Sequence, residues 1–169
     1  MEPRPPHPTD DVDEIVAAWQ RERPDLDPAP LAIFSRISRL ARRLDLDRSF
    51  AFAQHELDGW EFDVLSALRR AGDPYQLSPG QLVAQTLVTS GTMTNRIDRL
   101  AARGWVERHR SDTDRRGVNV RLTEAGRRTV DAAMADLLER ERAVLTDLPE
   151  PDQVALAEHL RVLLAPFEH

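Results

Sequence analysis

Four polar residues between positions 92 and 99 have the types and the spacing to read nucleic acid. Thr92, Asn95, Arg96 and Arg99 fall at i, i+3, i+4 and i+7, so a helix over this stretch lines them along one face. Arginine pairs with guanine or phosphate, asparagine with adenine, and threonine with a thymine methyl or a phosphate. Met93, Ile97 and Leu100 make a separate apolar stripe that can anchor such a helix from behind. Ser90 and Thr94 lie on the same helix and complete the DNA-facing set. Taken alone, the segment also fits an ordinary amphipathic surface helix.

A second basic group lies in the run Asp112 to Gly117, which carries Arg115 and Arg116. An arginine at an exposed hairpin tip can enter the narrow, electronegative minor groove. Asp114 would serve there as a local partner for an arginine or for the turn. The alternative is a solvated charged turn. Charge distribution favours the nucleic-acid reading. Between Thr92 and Arg128 there are ten arginines and five acids, although the chain as a whole carries −6. A basic segment inside an acidic protein marks a local anion-binding face. All 23 basic residues are arginine, as codon bias would produce, but codon bias does not account for the clustering.

The elements that must position these groups follow from periodicity and stop signals. Asp11 to Arg23 reads as a short helix with Ile15, Val16 and Trp19 near one face, ended by Pro24. A long helix is expected over about 29–52, since Ile33, Ile37, Leu40 and Leu44 repeat at helical intervals. Another is expected over about 61–71, with Phe62, Leu65 and Leu68 inward and Gly72 and Pro74 as the stop. Ser78-Pro79-Gly80-Gln81 spells a helix start: a capping serine, proline at the first position and a glutamine to close a capping box. That short helix runs to about Gln85 and turns through Leu87-Val88-Thr89 into the reading helix, which Gly104 can terminate. The period then changes. Trp105 to Arg108 and Val118 to Leu122 read as two strands of a hairpin. A long helix over about 124–146, with Val130, Met134, Leu137 and Leu138 inward, and a last one over about 152–164 complete the chain. The expected fold is mainly α with a small β-hairpin wing. Residues 1–10 read as a disordered tail and 11–169 as a single domain. Its winged helix-turn-helix covers about 56–123, and helices at about 11–55 and 124–169 are available for dimerisation.

The runs SGTMTNRIDRL, GWVER and DTDRRGVNVRLTEAG are similar to the recognition helix, strand, wing and following helix of the MarR family, a resemblance that covers roughly residues 30 to 145. It implies a homodimer whose terminal helices interlock and whose two winged lobes bind a palindromic DNA site. A regulator of this kind, most simply a repressor, is the function expected. Trp19 followed by ERPDLD, the segment EFDVLSALRRAG and the run TNRIDRL resemble the urate-responsive branch more narrowly, which has an extra N-terminal helix and relatives that sense citrate- and aconitate-like acids. That resemblance implies an effector site of Trp19, Asp63, Arg96 and Arg108. The chemistry suits a small anion: an arginine fork for its charge and an indole face for a flat ring. Asp63 beside Arg108 would make an ion pair that a second anion disturbs. Trp19 could equally be a core anchor, Asp63 a helix cap or surface charge, and Arg96 a DNA contact alone. Two features depart from the branch: Trp60 stands where a small or polar residue is expected, and the interval from Trp19 to Asp63 is short.

Other function classes find little support. There is no cysteine, and the histidines at 7, 55, 109, 159 and 169 lack metal-ligand spacing, so no metal or cofactor is expected. No nucleophile elbow, phosphate loop or pair of catalytic carboxylates is present, so the chain does not read as an enzyme. No apolar run approaches the roughly 18 residues that span a membrane, and three prolines in the first six residues do not suit a secretory signal, so a cytoplasmic location is expected. Two other readings stay open: a regulator answering a neutral aromatic or no ligand, and a winged-helix protein-interaction module.

Overall fold

Polar caps mark where the helices begin. The computed structural model describes residues 9–110 and 117–168. Helix α1 (Asp11–Glu22) starts behind Asp10, whose carboxylate accepts from the N–H groups of Val12 and Asp13. Asp13 accepts in return from the Asp10 N–H, which closes a capping box. Helix α2 (Ala29–Ala53) follows, and its Arg36 bonds Asp10 at 2.8 Å and Asp13 at 2.7 Å. The chain divides into two compact units, one up to Leu46 and one from Asp47 onward, with α2 running through the boundary.

The cap and the Arg36 contacts make this start of the chain acid-sensitive. The Arg36 guanidinium, with the backbone N–H groups, holds the Asp10 carboxyl below its ordinary value of 3.8. Asp13 is lowered too, first by the backbone N–H of Asp10 and then by Arg36. A lowered carboxylate stabilises the fold above its ordinary value and loses that contribution as pH falls through the folded one. Amide protection along 11–22 should therefore hold from neutral pH down to about 4 and fall below that. Protection that is indifferent to acid would remove this cluster from the account of α1.

In the first unit Ile15, Trp19, Ile33, Phe34, Ile37 and Leu40 are exposed. The helical stripe expected on α2 is thus present but uncovered. In the second unit α3 (Gly59–Arg70) supplies the centre of the core, with Phe62, Val64, Leu65 and Leu68 buried. Each such side chain contributes about 1.5–3 kcal/mol by leaving water. Phe52 stacks on Phe62 with ring centroids 4.1 Å apart. Helix α3 begins two residues earlier than its apolar pattern indicates, because the Glu61 carboxylate accepts from the Asp58 N–H and so caps the first turn.

Strand β1 (Gln76–Leu77), helices α4 (Pro79–Thr86) and α5 (Ser90–Ala102), and strands β2 (Val106–Arg110) and β3 (Val118–Leu122) follow. The three strands form an antiparallel sheet in the order β1-β3-β2. Val106 pairs with Leu122 and Arg110 with Val118 across the hairpin. Strand β1 is not anticipated by any pattern, since two residues show no period; it exists because Gln76 and Leu77 pair with Arg121 and Val120 of β3. Helix α6 (Glu124–Val144) buries Val130, Ala133 and Leu137 against this core and is tied to α3 by Arg69–Asp131 at 2.8 Å. Leu138, expected inward, is exposed, because it falls just off the face that α6 turns to the core. Helix α7 (Glu150–Leu164) and a short 3-10 turn (Ala165–Phe167) close the described chain, and α7 has no buried residue. Among the described residues no helix is long and apolar enough to cross a membrane.

Candidate nucleic-acid interface

Helices α4 and α5 make the helix-turn-helix. The Ser78 hydroxyl accepts from the Gln81 N–H at 3.2 Å, and the Gln81 side chain accepts from the Ser78 N–H at 2.8 Å. The box that the sequence spells is therefore formed on both sides. Helix α4 ends at Leu87, which adopts a left-handed conformation (φ 52°) and is almost fully exposed. A non-glycine residue held there stores strain in the turn between the two helices. Thr89 then caps α5, accepting from the Thr92 N–H at 3.3 Å. At the other end Gly104 has φ 71°, and the Trp105 N–H reaches back to the Leu100 carbonyl at 3.1 Å. Glycine suits this left-handed stop because it has no Cβ.

The two faces of α5 separate as its spacing requires. Met93, Ile97 and Leu100 are buried, while Ser90, Thr92, Thr94, Asn95 and Arg99 are exposed and Arg96 is half-buried. Thr92, Asn95, Arg96 and Arg99 line an open cavity of about 500 Å³ together with Gly91 and Trp60. Hydroxyl contacts keep two threonines in place: Thr92 with Thr89 at 2.9 Å, and Thr94 with the Ser90 carbonyl at 3.1 Å. Arginines surround Trp60, with the Arg96 and Arg99 guanidinium carbons 5.3 and 4.7 Å from its ring centroid. Arg115 and Arg116, the wing-tip candidates, lie outside the described residues.

The end of α5 is locked to α3 and to the wing. Glu61 is buried, and both its oxygens accept from Arg103 Nη1, at 3.0 and 3.2 Å. The same guanidinium lies 3.6 Å from the Trp105 ring centroid. Three elements thus meet at one charge.

Within the second unit the effector candidates Asp63, Arg96 and Arg108 do not share one cavity. Asp63 lines a cavity of about 300 Å³ behind the helix-turn-helix, with Phe62, Met134 and Leu137 as its apolar lining and Arg48, Ser66 and Arg70 among its polar groups. Arg70 donates to the Ser66 hydroxyl at 2.8 Å. Arg96 lines the separate cavity at Trp60. Arg108 pairs with Asp98 of α5 at 2.6 Å, not with Asp63. The expected Asp63–Arg108 pair is replaced because β2 runs directly off α5, which brings Asp98 within reach of Arg108. Trp19 belongs to the first unit, where it is half-exposed and lines an apolar recess with Ile15, Ala18 and Glu22. Arg48, Arg70 and the Glu61–Arg103 pair were not singled out from the sequence. Trp60 was visible there only as a departure from the branch pattern.

Comparison with known proteins gives the family and the fold. The sequence profile described as MarR family matches residues 55–117. The HTH-type transcriptional regulator PecS of Dickeya dadantii is 37% identical over 158 residues, covering 94% of this chain and 93% of that protein. A mutant Escherichia coli MarR complexed with operator DNA superposes with a TM-score of 0.66 at 24% identity, covering 82% of this chain and 98% of that one, a likeness of fold. Bordetella bronchiseptica BpsR, whose DNA binding is regulated by 6-hydroxynicotinic acid, superposes with a TM-score of 0.57 at 28% identity, covering 76% of this chain and 98% of that one.

Proposed function

The chain belongs to the MarR family of DNA-binding transcriptional regulators, and on that basis we propose that it is a homodimeric repressor released from a palindromic operator by a small anionic metabolite. The observation that carries the DNA half is α5 itself, with its apolar stripe buried and Thr92, Asn95, Arg96 and Arg99 gathered around an open cavity. Ser90, Thr94 and the wing-tip Arg115 and Arg116 are assigned to the same interface. The uncovered apolar faces support a dimer. Val154, Leu156, Val162, Leu163 and Leu164 of α7 are all exposed in one chain, as are Ile33, Phe34, Ile37 and Leu40 of α2. A second copy is the simplest cover for faces of this size.

The effector half rests on the cavity behind the reading head. Arg48 and Arg70 offer two forks to a carboxylate or urate-like anion, and Asp63 on the same wall opposes it. Urate-, purine- and citrate- or aconitate-like anions share this chemistry, and regulation of BpsR by an aromatic acid supports the class. Trp19, Arg96 and Arg108 are the further contacts implied by the urate-responsive branch. An anion that draws on Arg108 must compete with Asp98, which would loosen β2 from α5. A ligand shifts the equilibrium only by its preference for the non-binding form, and a tenfold release needs about 1.4 kcal/mol.

The test combines selection and release. Binding selection from random duplexes should return a near-palindrome with half-sites about 10 base pairs apart. Gel shifts on that site with urate, xanthine, citrate and aconitate should identify a releasing anion. The repulsion that displaces Asp63 is what transmits binding to the helices behind the reading head, so Asp63→Ser should blunt the release by about tenfold while keeping most of its operator affinity. If no anion releases the wild type, or Asp63→Ser responds like wild type, the effector assignment fails. A selected site without two-fold symmetry would count against the dimer.

A further inference from the structure

We propose that Trp60, which lies outside the helix-turn-helix, is a positioning residue for DNA reading: its indole is the platform that sets Arg96 and Arg99 toward the groove. The inference rests on the reading of α5 as the groove-facing helix given above. Two guanidiniums three residues apart approach one ring, at 5.3 and 4.7 Å. Like charges on adjacent turns would otherwise splay apart, and the negative face of the indole offsets that repulsion.

The platform is itself held in place. Trp60 Nε1 donates to Asp58 Oδ2 at 3.2 Å, and the indole packs against the hydrophobic core. The same Asp58 oxygen lies 3.9 Å from Arg99 Nη2, so the carboxylate and the ring hold Arg99 from two sides. A free arginine samples many rotamers and loses them on docking, whereas one already held against a ring has fewer to lose. A cation–π contact also suits a DNA contact chemically. It does not consume the guanidinium N–H donors, which can make bidentate bonds to guanine or phosphate. The cavity bounded by Trp60, Asn95, Arg96 and Arg99 is open, so those donors have somewhere to act.

The experiment measures discrimination, the ratio of affinity for the selected operator to that for an unrelated duplex of equal length, across a salt series. Trp60→Leu should lower discrimination about tenfold and leave the salt slope unchanged, since no charge is removed. Trp60→Phe keeps an aromatic face and should retain most of the discrimination. A packing role alone would lower thermal stability without touching this ratio. In an Arg96→Gln/Arg99→Gln background, Trp60→Leu should have little further effect, the non-additivity expected when one residue acts through another. Unchanged discrimination in folded Trp60→Leu, or losses that simply add to those of the arginine changes, would overturn the proposal. Should Trp60→Leu fail to fold, Trp60→Met, which also removes the aromatic face, is carried through the same cycle: a loss that vanishes without the arginines supports the platform, and no loss or an additive one overturns it. Arginine variants that themselves discriminate like wild type would overturn the groove-facing reading of α5, and the proposal with it. Arginine effects with an inert Trp60 would overturn the proposal alone.

Discussion

Replacing Arg103 by methionine is expected to destabilise the fold by about 3 kcal/mol, among the largest effects available to a single polar substitution here. Its partner Glu61 is 1% exposed, and beyond Arg103 its carboxylate accepts from the backbone N–H of Asp58. Methionine preserves a flexible apolar stem beside Trp105 but removes the charge. The carboxylate is then left buried with one N–H, and an uncompensated buried charge costs far more than a surface one. The Arg103 side chain is 35% exposed, so water reaches the site and the cost belongs at the low end of the usual range. Denaturant unfolding measures it directly. The double variant Glu61→Gln/Arg103→Met should recover much of the loss, because no buried charge remains. A cost below about 1 kcal/mol for Arg103→Met would mean that the pair does not hold α3, α5 and the wing together.

Gly126→Ala should be of similar size, about 3 kcal/mol, for a steric reason. A Cβ at Gly126 would lie 2.1 Å from the Trp105 carbonyl oxygen and 2.9 Å from its carbon, both backbone atoms that no rotamer change can move aside. The position is held tightly by its cap. The Thr123 hydroxyl accepts from the Gly126 N–H at 3.0 Å and donates to the Gly104 carbonyl at 2.8 Å. The first turn of α6 therefore sits directly on the junction between α5 and β2. Alanine must push α6 away from that junction and break part of the cap, although alanine normally favours a helix by about 1 kcal/mol over glycine. The clash outweighs that preference. The thermal midpoint should fall by roughly 6–12 °C, and operator affinity should fall with it, because the same junction aims α5 and the wing. An alanine variant as stable as wild type would show that α6 can shift freely there.

Much of the fold can be read from short stretches of this chain. Ser78 to Gln81 announces a helix start through groups three residues apart, and the structure forms both bonds of that box. The buried stripe of Met93, Ile97 and Leu100 and the strand alternation of Val118 to Leu122 are likewise local patterns, set by the 3.6- and 2-residue periods of the backbone. Arginine clustering around α5 and the hairpin pointed to DNA for the same reason, since charge density along a segment needs no knowledge of packing.

Local pattern thus encodes the order and type of the elements other than β1, and the apolar stripe by which α5 is anchored. Partnerships between distant residues were decided only by the tertiary structure. No local pattern gives Glu61 a partner, yet its buried carboxylate accepts from Arg103, 42 positions away. Arg108 was matched to Asp63 by resemblance but pairs with Asp98, because β2 leaves α5 in a direction that no local pattern encodes. Strand β1 consists of two residues and owes its existence to β3. Asp63 meets Arg48 and Arg70 only because α2, α3 and α6 surround one cavity. Periods and caps arise from interactions within a few residues, whereas which charge meets which depends on how helices and strands pack to bury their apolar faces.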